Sequence, residues 1–294
     1  MPNTVPHRLL IVDDDNSITT LLAESLTQLG GYSVTVASDG ATGLASFFTD
    51  HPDCVIVDVR MPGLNGHQFV RALRGDGQTA QTPIVILSAL IQEADQFAGM
   101  LSGADVYLLK PVKLADLFAA IEQAIRLTDE QRIQQENHLA FGEFATDILL
   151  GAEVMKPFLW FRGAQNRTIR ILQIDADQHH AAILLTSLFW RYHLTHVTTF
   201  QEGVAVLQKE AAFDLIMTEL DVVDIADNTI VSALCALPAT RHALVIVTTY
   251  RNSVSDKVNA FQAGADDYLV KPIEPQRFLA HFSRAEQLRT LLKR

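Results

Sequence analysis

Four short apolar runs each end in a residue capable of chemistry. Asp13-Asp14 follows Leu9–Val12, Asp58 follows Cys54–Val57, Ser88 follows Ile84–Leu87, and Lys110-Pro111 follows Val106–Leu109. Singly these are ordinary: an aspartate after an apolar run is usually a loop or cap residue, and Lys-Pro is usually a turn. If the runs lie side by side, however, three carboxylates, a hydroxyl and an ammonium reach one rim. Carboxylates so gathered repel one another unless a cation joins them. With oxygen ligands and no His or Cys at those positions, the set suits a hard divalent ion. Mg2+ fits best, because it keeps several waters and takes few protein ligands. A carboxylate held beside Mg2+, a lysine and a hydroxyl is arranged for phosphoryl transfer. Asp58 attacks phosphorus while the cation and Lys110 neutralise the equatorial oxygens.

The elements that must position these residues are legible in the pattern. The four runs, with a further one at Val34–Ala37, are rich in Val, Ile and Leu, as in strands buried on both faces. Segments of helical period separate them. Ile18, Leu21, Leu22, Leu26 and Leu29 recur on one face, Asp15 or Asn16 caps the start and Gly30-Gly31 the end. Five strands alternating with five helices predict an α/β fold, a doubly wound parallel sheet with right-handed crossovers. Such sheets bind ligands beyond the carboxyl ends of their strands.

The pattern then repeats. Leu9–Asp15 has a partner in Ile171–Asp177, Pro83–Ser88 in Ala243–Thr248, and Gly103–Pro111 in Gly264–Pro272, at offsets of 160 to 162 residues. Two copies of one domain are expected, at 1–126 and 169–294, joined by a connector at 127–168. The net charge of −11 divides as −7, −2 and −2 over these three segments.

The first copy resembles a response-regulator receiver domain of two-component signalling over residues 8–126. The resemblance rests on Asp13-Asp14, the stretch Val57-Asp58-Val59-Arg60-Met61-Pro62-Gly63-Leu64-Asn65-Gly66, Ser88 and Lys110, with the family's aromatic switch position at Tyr107. It implies a flavodoxin-like (βα)5 fold with strand order 2-1-3-4-5. It also implies a cytoplasmic protein that takes a phosphoryl group onto Asp58 from a histidine kinase or histidine phosphotransfer protein. By the family pattern Asp14, Asp58 and the backbone carbonyl of Arg60 ligate Mg2+, Asp13 acts through water, and the Lys110-Pro111 bond is cis. On phosphorylation Ser88 turns toward the new group, and Tyr107 rotates into the space it leaves. Enzymatic content is confined to self-phosphorylation and self-dephosphorylation of Asp58.

In the second copy Asp14 becomes Ala176 and Asp58 becomes Glu219, while Asp175, Thr248, Tyr268 and Lys271 remain. The lost carboxylate weakens metal binding, and the extra methylene pushes the acceptor into the space for metal and phosphoryl, where Glu219 meets Lys271 and Thr248. This copy reads as a pseudo-receiver that is not phosphorylated. Either Glu219 locks an activated-like state, with Thr248 drawn inward, or it forms a passive salt bridge; the second is favoured, since Glu seldom reproduces a phosphoryl group.

The rest of the chain narrows the function. The acidic balance argues against a general polyanion binder, so no direct nucleic-acid contact is expected. No apolar stretch reaches the ~18 residues of a membrane span, and the N-terminus lacks the pattern of a signal peptide. Both cysteines, Cys54 and Cys235, lie in apolar stretches and read as buried reduced thiols. The helix expected from Leu114 carries Leu117, Phe118, Ile121 and Ile125 inward, and the mostly helical connector holds enough apolar residues to pack on a receiver or a second chain. His138 lacks the setting of a phosphotransfer histidine, and His179-His180, His193 and His196 read as surface or cap residues rather than metal ligands. The arginine that DNA-binding members use for dimer contacts corresponds to Ala120 and His281. A free-standing Mg2+ phosphohydrolase would need longer loops around the rim. The leading expectation is a tandem receiver whose output is a protein–protein interface with an unknown downstream protein or a homodimer. The alternative is a transcription regulator acting through a partner or through an effector domain beyond the sequence.

Overall fold

A computed structural model describes residues 6–89, 102–127, 169–177, 192–210, 212–225, 229–273, 277–278, 280–282 and 285. The expectations for 128–168, for His138 and His179-His180, and for the helix between Ser88 and Gly103 lie outside these residues. The chain divides into two compact units, one built on each of two five-stranded sheets.

In the first unit β1 (Arg8–Val12), β2 (Ser33–Ala37), β3 (Cys54–Asp58), β4 (Ile84–Ser88) and β5 (Val106–Leu109) are ordered β2-β1-β3-β4-β5, all parallel. The helices are α1 (Asn16–Gly30), α2 (Gly40–Asp50), α3 (Gly66–Arg74) and α4 (Leu114–Arg126). Strand alternation deals the apolar runs to two faces. Leu9, Ile11, Cys54, Ile56, Val85 and Leu87 pack with Leu22 and Leu26 of α1 and Leu117, Ile121 and Ala124 of α4. On the other face Val12 meets α2, where a Cβ at Gly43 would lie 2.8 Å from Val12 and 3.1 Å from Phe69 of α3. Burial on both faces explains why these strands read as unbroken apolar runs.

Local signals set the helix ends. The Asp15 carboxylate accepts from the N–H groups of Ser17 and Ile18, and Gly31 closes α1 at φ 67°. Asp39 caps α2 in the same way, through Ala41 and Thr42.

The second unit repeats the plan. β6 (Ile169–Ile174), β7 (Tyr192–Val197), β8 (Leu215–Thr218), β9 (Leu244–Thr249) and β10 (Asp267–Val270) are ordered β7-β6-β8-β9-β10 and are parallel. Its described helices include α5 (Phe200–Lys209), α6 (Thr229–Ala236) and α7 (Val254–Gln262). Ala120 and His281, the positions aligned with the family's dimer arginine, are both buried. Among the described residues no helix is long and apolar enough to cross a membrane.

One cysteine departs from expectation. Cys54 is buried, but Cys235 is exposed. Helix α6 turns Ile230, Val231 and Leu234 inward, which leaves position 235 on its open side.

Candidate functional site

The carboxyl ends of the first sheet gather the expected residues. β1 runs straight into Asp13, β3 ends on Asp58, β4 ends on Ser88, and Lys110 follows β5. Register brings them level: Val12 lies beside Val57, Asp58 beside Leu87, and Ser88 beside Leu109. Carboxylate oxygens of Asp13, Asp14 and Asp58 all lie within 4.8 Å of one another. Asp13 and Asp58 are buried and Asp14 is exposed, so the cluster opens to solvent on one side.

The Lys110 ammonium bridges two of the three. Its Nζ is 2.6 Å from Asp13 Oδ2 and 2.5 Å from Asp58 Oδ1. The remaining oxygens are held by backbone: Asp13 Oδ1 accepts from Asp15 N–H at 2.9 Å, and Asp58 Oδ2 accepts from Arg60 N–H at 2.6 Å. The turn that offers Arg60 folds back on β3. Gly66 N–H donates to Val59 O at 3.0 Å, and a Cβ on Gly66 would sit 2.2 Å from Asp58 O. Only glycine allows α3 to start that close to the acceptor strand.

Burial raises the Asp58 pKa; Lys110 pulls it back and the nearby Asp13 adds to the rise, leaving it above the ordinary aspartate value. Burial draws Lys110 down, but its bonds to Asp13 and Asp58 outweigh that and hold it above the ordinary lysine value. Ser88 is fully buried and Tyr107 half-buried on β5. The Lys110-Pro111 bond is cis, as is Lys271-Pro272.

Three carboxylates facing one ammonium leave a deficit of two positive charges. An all-oxygen cluster with that deficit, open to solvent on the Asp14 side, fits Mg2+, which keeps part of its water shell.

The second rim is closed. Lys271 Nζ lies 2.7 Å from Asp175 Oδ2 and 2.6 Å from Glu219 Oε2, and its side chain is 0% exposed where that of Lys110 is 17% exposed. Burial pulls the Lys271 pKa down, yet its bonds to the two carboxylates leave it raised. Glu219 thus meets Lys271 as expected, but it does not meet Thr248. Its other oxygen accepts from Leu220 N–H at 2.8 Å, and Thr248 Oγ1 is buried without a hydrogen-bond partner. The carboxylate is held instead by the ammonium and a backbone N–H. Tyr268, the counterpart of Tyr107, is fully buried and its hydroxyl donates to Arg251 O at 2.9 Å.

Sequence reasoning missed two residues here. Tyr250, two positions past Thr248, lies with its ring centroid 5.1 Å from Lys271 Nζ and donates to Asp177 at 3.1 Å, covering the ammonium. Its nearness in sequence to the strand end was the available signal. Gln173 stands on β6 and reaches Asp175 Oδ2 at 3.4 Å; nothing in the pattern marked it. Of the other histidines, His193 is exposed, while His196 is half-buried against Asp175 O at 2.8 Å.

The family model described as the response regulator receiver domain matches residues 9–122 and again 171–283. Response regulator MprA of Mycobacterium tuberculosis is 36% identical over 140 residues, covering 48% of this chain and 60% of that protein. Response regulator PleD of Caulobacter vibrioides is 28% identical over 276 residues, covering 93% of this chain and 57% of that protein. The chain therefore spans little more than half the length of these relatives. Among solved structures, the chemotaxis response regulator CheY4 of Vibrio cholerae is 32% identical with a TM-score of 0.39, covering 41% of this chain and 99% of that one.

Proposed function

This chain belongs to the response regulator receiver domain family in both of its sheets, and from that premise we propose that it is a two-component response regulator phosphorylated on Asp58 alone. The donor is the phosphohistidine of a partner kinase or phosphotransfer protein. The observation that carries the reading is the contrast between the rims: an open cluster of three carboxylates at Asp58, a sealed ion pair at Glu219.

Asp58 presents its carboxylate at the mouth of the sheet, with Arg60 N–H fixing one oxygen and Lys110 the other. Asp58 Oδ forms the new bond to phosphorus as the donor's P–N bond breaks, and the imidazole leaves with the electron pair. Lys110 then follows the transferred charge, and Ser88 at the end of β4 donates to a phosphoryl oxygen. Asp14, Asp58 and the carbonyl of Arg60 would hold Mg2+, with Asp13 acting through water. When bound, that ion neutralises the charge gathered on acceptor and phosphoryl oxygens.

The aspartyl phosphate brings a charge near −2 at this rim. Ser88 moves toward it and Tyr107 turns inward, repacking the sheet edge at β5 and α4. Output passes from there through the connector at 127–168 to a changed protein–protein interface, in the cytoplasm. Residues 1–126 form the phosphoacceptor domain and 169–294 a pseudo-receiver.

Beryllium fluoride, which mimics a phosphoryl group on a carboxylate, tests the contrast. With Mg2+, 19F spectra of the full chain are expected to show one bound adduct that disappears in Asp58→Asn. A second bound signal, or one that survives the substitution, overturns the assignment.

A further inference from the structure

The turn after the acceptor aspartate, residues 59–65, leads from β3 into α3 and carries Arg60. Its entry is tied to the sheet. Val59 N–H donates to Leu87 O at 3.1 Å, and Arg60 N–H to Asp58 Oδ2 at 2.6 Å. Its exit is tied to the helix. Asn65 N–H donates to Gln68 Oε1 at 3.1 Å, and Gln68 N–H donates to Asn65 Oδ1 at 3.0 Å. Phe69 N–H donates to Asn65 O at 2.9 Å, so Asn65 stands at the cap position of α3 with Gln68 three residues on. The two side chains close a reciprocal ring over backbone N–H groups that a helix start leaves unpaired.

Such a ring ordinarily serves helix stability alone. The second copy argues for more. At the spacing of 161 that relates Asp58 to Glu219, Asn65 and Gln68 become Ala226 and Thr229. Alanine has no side-chain acceptor and threonine is too short to reach back, yet α6 forms over Thr229–Ala236 all the same. The turn there is held from another side: Asp224 accepts from Phe200 N–H and Gln201 N–H, both at 2.8 Å, at the start of α5. The same place in the first copy is Gly63, at φ 76°, with no side chain to make that contact. The fold therefore does not require the ring. It stands in the copy with three clustered carboxylates, and is lost in the copy with Ala176 in place of Asp14.

We infer that Asn65 and Gln68 are positioning residues for the divalent cation: their ring fixes the exit of the turn, and the turn fixes the Arg60 carbonyl. The inference rests on the proposed reading of the Asp58 rim as a Mg2+ site. The connection is short. Gly66, next to Asn65, donates its N–H to the carbonyl of Val59, next to Arg60, at 3.0 Å. Between these ends Met61 and Leu64 are buried and Pro62 has a fixed φ, so a shift at Asn65 passes to Arg60 instead of being absorbed. Neither side chain needs to touch the ion; both act through the backbone.

Mn2+ is the probe, because it takes the same oxygen ligands and its free ion is counted directly by electron paramagnetic resonance. In the full chain, the rim site is the Mn2+ binding that Asp14→Ala removes and Mg2+ displaces. Asn65→Ala and Gln68→Ala are each expected to weaken it by about tenfold, the low end for residues that support a metal ligand. Asn65→Ser returns an acceptor to the cap position without adding charge, and should stay within about twofold of the unsubstituted chain. Labelling by acetyl phosphate gives a second readout. The Mg2+ concentration for half-maximal labelling of Asp58 should rise by the same factor in both alanine variants, while saturating Mg2+ recovers the full extent. A chain merely destabilised at α3 would keep its half-maximal concentration, and an unfolded one would lose the full extent. Unchanged Mn2+ affinity in both alanine variants, an equal loss in Asn65→Ser, or labelling that saturating Mg2+ does not recover overturns the inference and leaves the rim's metal site standing. An unsubstituted chain with no Mn2+ binding that Asp14→Ala removes overturns the metal reading of the rim, and the inference with it.

Discussion

Two lysines at equivalent positions show how few residues separate an open carboxylate rim from a sealed one. Lys110 bridges Asp13 and Asp58 while a third carboxylate and solvent remain within reach; Lys271 is enclosed with Asp175, Glu219 and the ring of Tyr250. Lys271→Met would strand two buried carboxylates and is expected to cost about 3–5 kcal/mol in urea unfolding. Lys110→Met should cost less, and Mg2+ should recover the difference, because the metal replaces the lost charge. The rim residues were legible because each follows an apolar run, so strand direction alone collects them. Tyr250 and Gln173 were not, since their part depends on packing around Lys271; the expected meeting of Glu219 with Thr248 is absent, and the second Glu219 oxygen accepts from Leu220 N–H.

At the scale of elements, burial on both faces of each sheet explains why β1, β3 and β4 were readable almost to the residue. Helix α1 was plain from its period and caps, although Leu21 and Leu29 of its apolar set are exposed and only Leu22 and Leu26 of that set are buried. Helix α6 misled, because its sequence is apolar nearly all round and period alone did not say that Cys235 lies outside. Helix α3 carries a testable burden. His67 is buried with Nδ1 unpartnered, and burial together with the nearby Arg71 lowers its pKa from 6.5 to about 4. The unfolded chain therefore binds a proton that the folded one refuses as pH falls. Stability from this group is full above pH ~6.5 and declines toward pH ~4, by about 2–3 kcal/mol over the window. Urea unfolding of the chain and of His67→Leu across that range should show the variant's curve flatter by this amount; parallel curves would contradict it.

For the molecule as a whole, the internal repeat was the strongest signal, since motifs recurring at one spacing imply two copies of one fold, and two sheets of the same order bear that out. The acidic excess lies in the copy that keeps the carboxylate cluster. Mg2+ should accordingly raise the thermal midpoint of only the transition belonging to the first copy, through preferential binding to the folded form. Asp14→Ala should abolish the gain; a comparable shift in both transitions would contradict the contrast. The central claim is that one aspartate accepts the phosphoryl group. Intact-mass measurement after incubation with acetyl phosphate and Mg2+ tests it most directly. The expected result is one phosphoryl group per chain, mapped to Asp58 and absent from Asp58→Asn; two groups per chain, or one that persists in the variant, would contradict it.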